Sequence, residues 1–165
     1  MEPSALLTFR DEAPDLVVPE LRDAAKRLGE RSMLLDEFIV EVGAAPGHAD
    51  PYEGAPSRGE VVLHGHCHQK AIVGTAPTKA ALERAGYSVE VLDTGCCGMA
   101  GSFGYERDHH EISMKIGELV LFPALREREG ASVVAPGTSC RHQIKDGVGQ
   151  EARHTAVWLA EALER

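Results

Sequence analysis

A chain of 165 residues is long enough for one domain with its own buried core, and its 43 % hydrophobic and 26 % charged residues are the mix of a globular protein. The formal net charge of −9, with no basic run, argues against nucleic acid or an anionic membrane surface as a partner. No stretch reaches the roughly eighteen apolar residues that a membrane-spanning helix needs, so no transmembrane segment is expected.

The opening MEPSALLTFRDE lacks the basic head, apolar middle and small-residue cleavage site of a secretory signal, and a cytoplasmic location is expected. In that reducing compartment the four cysteines read as ligands or reactive thiols rather than structural disulfides. Residues 18–43, VPELRDAAKRLGERSMLLDEFIVEVG, carry apolar residues three and four apart and predict one or two amphipathic helices. Residues 44–60, AAPGHADPYEGAPSRGE, are rich in Pro, Gly and polar residues and read as a loop or linker. A short buried strand is expected at 61–65, a helix at 75–86 stopped by Gly86, and a second strand at 87–93. Residues 108–129 predict a helix with Ile112, Ile116, Leu119 and Val120 on its inner face and a kink or restart at Pro123. A third strand is expected at 131–137, a short helix from Ser139, and a closing helix over 152–164.

Strands separated by helices imply an α/β fold: a mainly parallel sheet flanked by helices, built of Rossmann-like βα units. Such sheets bind ligands at the carboxyl ends of their strands. The cysteines fall there: Cys67 follows the first strand, Cys96 and Cys97 the second, and Cys140 the third. A weak internal echo sets 3–12 against 138–147, with Ala5 opposite Cys140, and 30–41 against 152–163. It suggests the second half of a pseudo-twofold repeat. Residues 1–43 would be the helical tail of a preceding copy, 44–60 a linker, and 61–165 the cysteine-rich α/β domain.

Residues 92–106, LDTGCCGMAGSFGYE, place adjacent cysteines among Gly95, Gly98, Gly101 and Gly104. Iron–sulfur clusters and zinc are both held by sets of thiolates, but the paired C-x-x-C knuckles usual for zinc are missing. Adjacent side chains tend to diverge, which suits a cluster better than one tetrahedral ion. Gly95, Gly98 and Gly101 would let the backbone curl round such an object and aim N–H groups at its sulfurs. A thiol redox pair and inert core cysteines are the other readings of the same residues. In HGHCHQK, residues 64–70, alternation on an extended segment would put His64, His66 and His68 on one face and Cys67 on the other. His66, His68 and His142 are the histidines expected to line the site, while His109 and His110 are expected at an exposed helix start and His154 in a structural role. No nucleotide loop, Ser/His/Asp set or acid–base carboxylate pair stands out, so no catalytic residue is assigned.

The segments HGHCHQKA, DTGCCGMAGSFGYE, SMKIGE and APGTSCRHQI together resemble the cysteine-rich CCG domain. That domain occurs in one of the subunits of heterodisulfide reductase, in the iron–sulfur subunit of glycolate oxidase and in the small subunit of anaerobic glycerol-3-phosphate dehydrogenase. The wording is also similar to the C-terminal region of FAD-linked dehydrogenases of D-2-hydroxy acids such as D-lactate and D-2-hydroxyglutarate. The resemblance covers roughly residues 60–163 and implies an iron–sulfur cluster of the 4Fe–4S type on Cys67, Cys96, Cys97 and Cys140. Gly137 and Ala5 stand where many relatives have cysteine, so a five-cysteine cluster is not implied. FAD would sit on a flavin-binding domain or subunit outside these residues. The cluster would pass electrons to a quinone, cytochrome or other carrier, and any attachment to the inner membrane would be peripheral, through partners. The alternative is a zinc-bound or metal-free module with a structural or docking role.

Overall fold

A computed structural model describes residues 2–43 and 45–164; Met1, Arg165 and the first residue of the expected linker, Ala44, lie outside them. Four parallel strands form one sheet: β1 (Gly59–Leu63), β2 (Tyr87–Val91), β3 (Val133–Val134) and β4 (Ala152–Arg153), in the order β2-β1-β3-β4. β1 runs through the middle, pairing Gly59 with Tyr87 through Leu63 with Val91 on one side and Val62 with Val133 on the other. Successive side chains of a strand point to opposite faces. Val61 and Leu63 accordingly join Leu82, Tyr87, Val134, Trp158 and Leu159 in one core. Val62 joins Leu92, Leu121, Phe122, Leu125, Val133 and Ile144 in the other.

Helices cover both faces, as a buried parallel sheet requires. Before the sheet come α1 (Pro3–Leu7), α2 (Ala13–Leu16), α3 (Arg22–Arg31), which follows a 3-10 turn at Pro19–Leu21, and α4 (Leu35–Gly43). The expected amphipathic stretch is thus two helices, broken at residues 32–34. After β1 come α5 (Cys67–Ile72) and α6 (Ala76–Arg84); after β2, α7 (His110–Leu119) and α8 (Leu121–Arg126); after β3, α9 (Thr138–Val148); and after β4, α10 (Thr155–Leu163). Among the described residues no helix is long and apolar enough to cross a membrane.

Four expectations need correction. The stretch 152–164 is not all helix: Ala152 and Arg153 extend the sheet before His154 caps α10 by accepting from the Ala156 N–H at 3.0 Å. Residues 64–70 are not extended throughout: His66 is still extended, but α5 begins at Cys67, so strand-like alternation does not carry on to His68. The helix over 108–129 breaks at Val120 (φ −145°), three residues before Pro123, which sits inside the first turn of α8. The inner face of α7 is also different. Ile112, Leu119 and Val120 are 51 %, 76 % and 44 % exposed, whereas Ser113 and Gly117 are buried. A small-residue face wins because α8 folds back on α7 and sets the Phe122 ring against Gly117, where an added Cβ would stand 2.4 Å from it. The loop after α4 packs against the sheet. Its Tyr52 is buried in the first core and its hydroxyl donates to the Leu159 carbonyl at 3.2 Å.

Candidate functional site

The sheet order puts the ends of β2, β1 and β3 side by side, and the four cysteines meet beyond them. Cys67 opens α5, Cys96 and Cys97 lie in the loop after β2, and Cys140 stands in the first turn of α9. Cys97 and Cys140 are buried, Cys67 and Cys96 half-buried, and all four are free thiols. The thiols perturb one another in sequence: Cys67 acts on Cys96, Cys96 on Cys97, and Cys97 on Cys140. The Gly98 N–H, 3.3 Å from the Cys96 Sγ, points at that sulfur.

Four thiols so close cannot all ionise, and their pKa values are pushed in opposite directions. Cys96 is pushed far down, first by hydrogen bonds from Cys67 and Cys97, with the Gly98 N–H assisting. Cys140 is lowered to about 5 by its hydrogen bond from Cys97, against burial and helped by His64. Cys67 and Cys97 are pushed up, chiefly because each donates to a neighbouring thiolate. The backbones of His68 and Met99 work the other way, lowering Cys67 and Cys97. Thiolates surrounded by amide donors are the donor set that an iron–sulfur cluster takes. Among the described residues no group of three or more His, Cys, Asp or Glu side chains brackets a single metal position.

Two histidines wall this site. His64 is fully buried, its Nδ1 is 2.7 Å from the Thr94 hydroxyl, and its Nε2, with no hydrogen-bond partner, belongs to a ring beside Cys140. His66 is buried with Nε2 3.2 Å from a Glu2 carboxylate oxygen and Nδ1 unpartnered. Burial opposes a charge on His66, but Glu2 and the Cys140 and Cys96 thiolates outweigh it and raise its pKa. His68 is half-buried, and its backbone lowers the Cys67 thiol. His142 lies on the exposed rim, its Nδ1 2.8 Å from the Tyr105 hydroxyl. His110 is exposed as expected, while His109 is half-buried and stacked on Phe103 with ring centroids 4.2 Å apart.

The glycines divide. Gly98 (φ +98°) is wedged against α7, where an added Cβ would stand 2.1 Å from the Ser113 carbonyl oxygen. Ser113 Oγ donates to the Gly98 carbonyl at 2.9 Å and Gln143 Nε2 donates to Ser113. Gly95 and Gly101 have open space where a Cβ would go. Lys70, on α5, donates to the carbonyls of Thr94 and Gly95 and so pins the cysteine loop. Lys70, Thr94, Ser113 and Gln143 carry no metal-ligand or motif signal of their own in the sequence. Neither does Glu2, which arrives from the far end of the chain. A cleft of about 670 Å³ adjoins the site through Glu2 and Thr138, with Leu6, Met33, Phe38 and His154 among its walls, but none of the four thiols lines it.

No family model matches the chain, and no solved structure does. It is 36 % identical over 168 residues to the D-2-hydroxyglutarate dehydrogenase of Escherichia coli (strain K12), a match covering 99 % of this chain and 15 % of that protein. It is 30 % identical over 167 residues to the D-2-hydroxyglutarate dehydrogenase of Pseudomonas putida, covering 100 % of this chain and 15 % of that protein. With one of the subunits of the anaerobic glycerol-3-phosphate dehydrogenase of Escherichia coli (strain K12) it shares 32 % identity over 105 residues, 63 % of this chain and 26 % of that polypeptide. The chain thus spans about 15 % of the length of the hydroxyglutarate dehydrogenases it matches. Its homologues are oxidoreductases or subunits of them.

Proposed function

We propose that this chain is the cluster-bearing electron-transfer part of a flavin-linked dehydrogenase of D-2-hydroxy acids. Cys67, Cys96, Cys97 and Cys140 would hold an iron–sulfur cluster of the 4Fe–4S type. The observation that carries this reading is the meeting of four sulfurs, drawn from three strand ends, under backbone N–H groups. When bound, such a cluster supplies one-electron storage between a two-electron donor and a one-electron acceptor. The chain's own part is to exclude water from Cys97 and Cys140, which are 3 % and 1 % exposed, and to present Cys67 and Cys96 toward the surface. Gly98 donates its N–H to the Cys96 sulfur, and hydrogen bonds of this kind are the lever that sets a cluster's potential. Lys70 holds the loop that carries two of the four ligands. FAD would be carried by a domain or subunit outside these residues, and the acceptor would be a quinone, cytochrome or other carrier. The similarity to hydroxyglutarate dehydrogenases supports this assignment of donor class.

The test is anaerobic reconstitution with iron and sulfide. The expected product is brown and binds about four iron and four sulfide per chain. Cys97→Ser and Cys140→Ser each reduce that stoichiometry. One zinc per chain with no iron uptake would favour the structural module instead.

A further inference from the structure

The strongest unassigned feature is a carboxylate at the start of the chain that reaches both outer arms of the thiol site. Glu2 accepts from the Thr138 N–H at 2.6 Å and from the Ser139 hydroxyl at 3.1 Å, and its Oε1 is 3.2 Å from His66 Nε2. Thr138 and Ser139 form the N-terminus of α9, two and one residues before Cys140. His66 immediately precedes Cys67 at the start of α5. Neither helix caps itself: Gly137 and His66, at the N-cap positions of α9 and α5, make no side-chain cap hydrogen bond. Glu2 is held in turn by Pro3, which opens α1, and by Leu7, which is fully buried. Gly137 completes the fit. A Cβ there would stand 2.6 Å from His66 Cδ2 and 3.1 Å from both the Cys140 Sγ and the Glu2 Oε1. The side chains of His66, Cys140 and Glu2 thus close over one glycine.

We propose that Glu2 is a positioning residue of the thiol site: its carboxylate joins the helix starts that bear Cys67 and Cys140, fixes the gap between those two outer thiols, and sets one negative charge beside them. The spacing role stands on geometry alone, while the effect of the charge on a potential rests on the cluster reading above. Charge-assisted hydrogen bonds of this kind are stronger than neutral ones, so one carboxylate can join two helix starts. A negative charge close to a buried cluster disfavours adding an electron to it.

Two measurements test this. In the metal-free protein, kept anaerobic and folded, iodoacetamide alkylation of each cysteine is followed by mass spectrometry. Glu2→Ala is expected to speed alkylation of Cys67 and Cys140 by about tenfold through local opening, with Cys96 and Cys97 near their wild-type rates. Gly137→Ala should give the same pattern without removing any charge. Glu60→Gln, at the opposite end of β1, should change nothing. A uniform rise at all four thiols, or no rise at all, would mean that Glu2 only caps a helix and would overturn the proposal. In protein reconstituted with iron and sulfide, Glu2→Gln should raise the midpoint potential at unchanged iron stoichiometry; an unmoved potential overturns the charge role. If the wild-type protein takes up no iron, the cluster reading fails, and the alkylation pattern still decides whether Glu2 spaces the thiols.

Discussion

The glycines beside the cysteines illustrate what a single missing Cβ does. At Gly98 the backbone has φ +98° and a Cβ would meet the Ser113 carbonyl oxygen at 2.1 Å, so any side chain is both strained and blocked by backbone. Gly101 has φ +68° but open space around it, and Gly95 has open space and no positive φ. In metal-free protein Gly95→Ala should therefore be neutral, and Gly101→Ala should cost about 1 kcal/mol of left-handed backbone strain. Gly98→Val should cost more than about 3 kcal/mol, because α7 must move away from the loop. Chemical denaturation of the three variants, with iron per folded chain measured in parallel, checks the order. The repeated glycine spacing in the sequence points to a tight loop around a ligand. It carries no sign that Gly98 faces a helix rather than the thiols, since Ser113 lies fifteen residues away and its approach depends on how α7 packs.

At the scale of helices, packing rather than apolar spacing decides which faces are buried. Leu119 keeps helical spacing with Ile112 and Ile116 yet is 76 % exposed, because α7 ends there and α8 turns back beneath it. Leu125 on α8 is fully buried in the core that holds Phe122 and Ile144. Leu119→Ala is expected to change stability by less than about 0.5 kcal/mol, and Leu125→Ala to cost roughly 2–5 kcal/mol, read from urea midpoints. α9 depends on a residue outside itself, since Glu2 supplies its N-terminal acceptor. Burial opposes the charge on Glu2, but hydrogen bonds from His66, the Thr138 N–H and Ser139 lower its pKa from 4.5 to about 2. A carboxyl whose folded pKa is depressed stabilises the fold above its unfolded pKa and loses that contribution as pH falls through the folded one. The stability advantage of the wild type over Glu2→Gln, about 1 kcal/mol after solvent screening, should be full near pH 6 and vanish between about pH 4.5 and pH 2. An advantage that grew on acidification would mean that Glu2 is not held as a carboxylate.

Over the whole molecule, the convergence of the thiols was legible because it follows from topology alone. Parallel strands joined by helical crossovers present their carboxyl ends on one edge, so cysteines placed just after three such strands share that edge. β4 was not legible, because two residues carry no period, and Glu2 was not, because its role depends on a contact across the whole chain. The two apolar cores bear on the fold's dependence on metal. The one containing Leu63, Leu82, Tyr87, Trp158 and Leu159 includes no thiol. The other uses Cys97 and Cys140 as small buried side chains among Leu92, Met99, Phe122 and Ile144, contacts that need no metal. Small metal-folded domains unfold when stripped because their ligands replace a core. Here one of the two cores includes no ligand and the other is mostly aliphatic and aromatic, so anaerobically prepared metal-free protein should keep its helical far-ultraviolet circular dichroism and melt cooperatively. Iron and sulfide should raise the melting temperature by mass action without adding secondary structure. A metal-free chain without cooperative melting would show instead that the loop from Leu92 to Tyr105, and the packing of α7 and α9 against it, form only around the cluster.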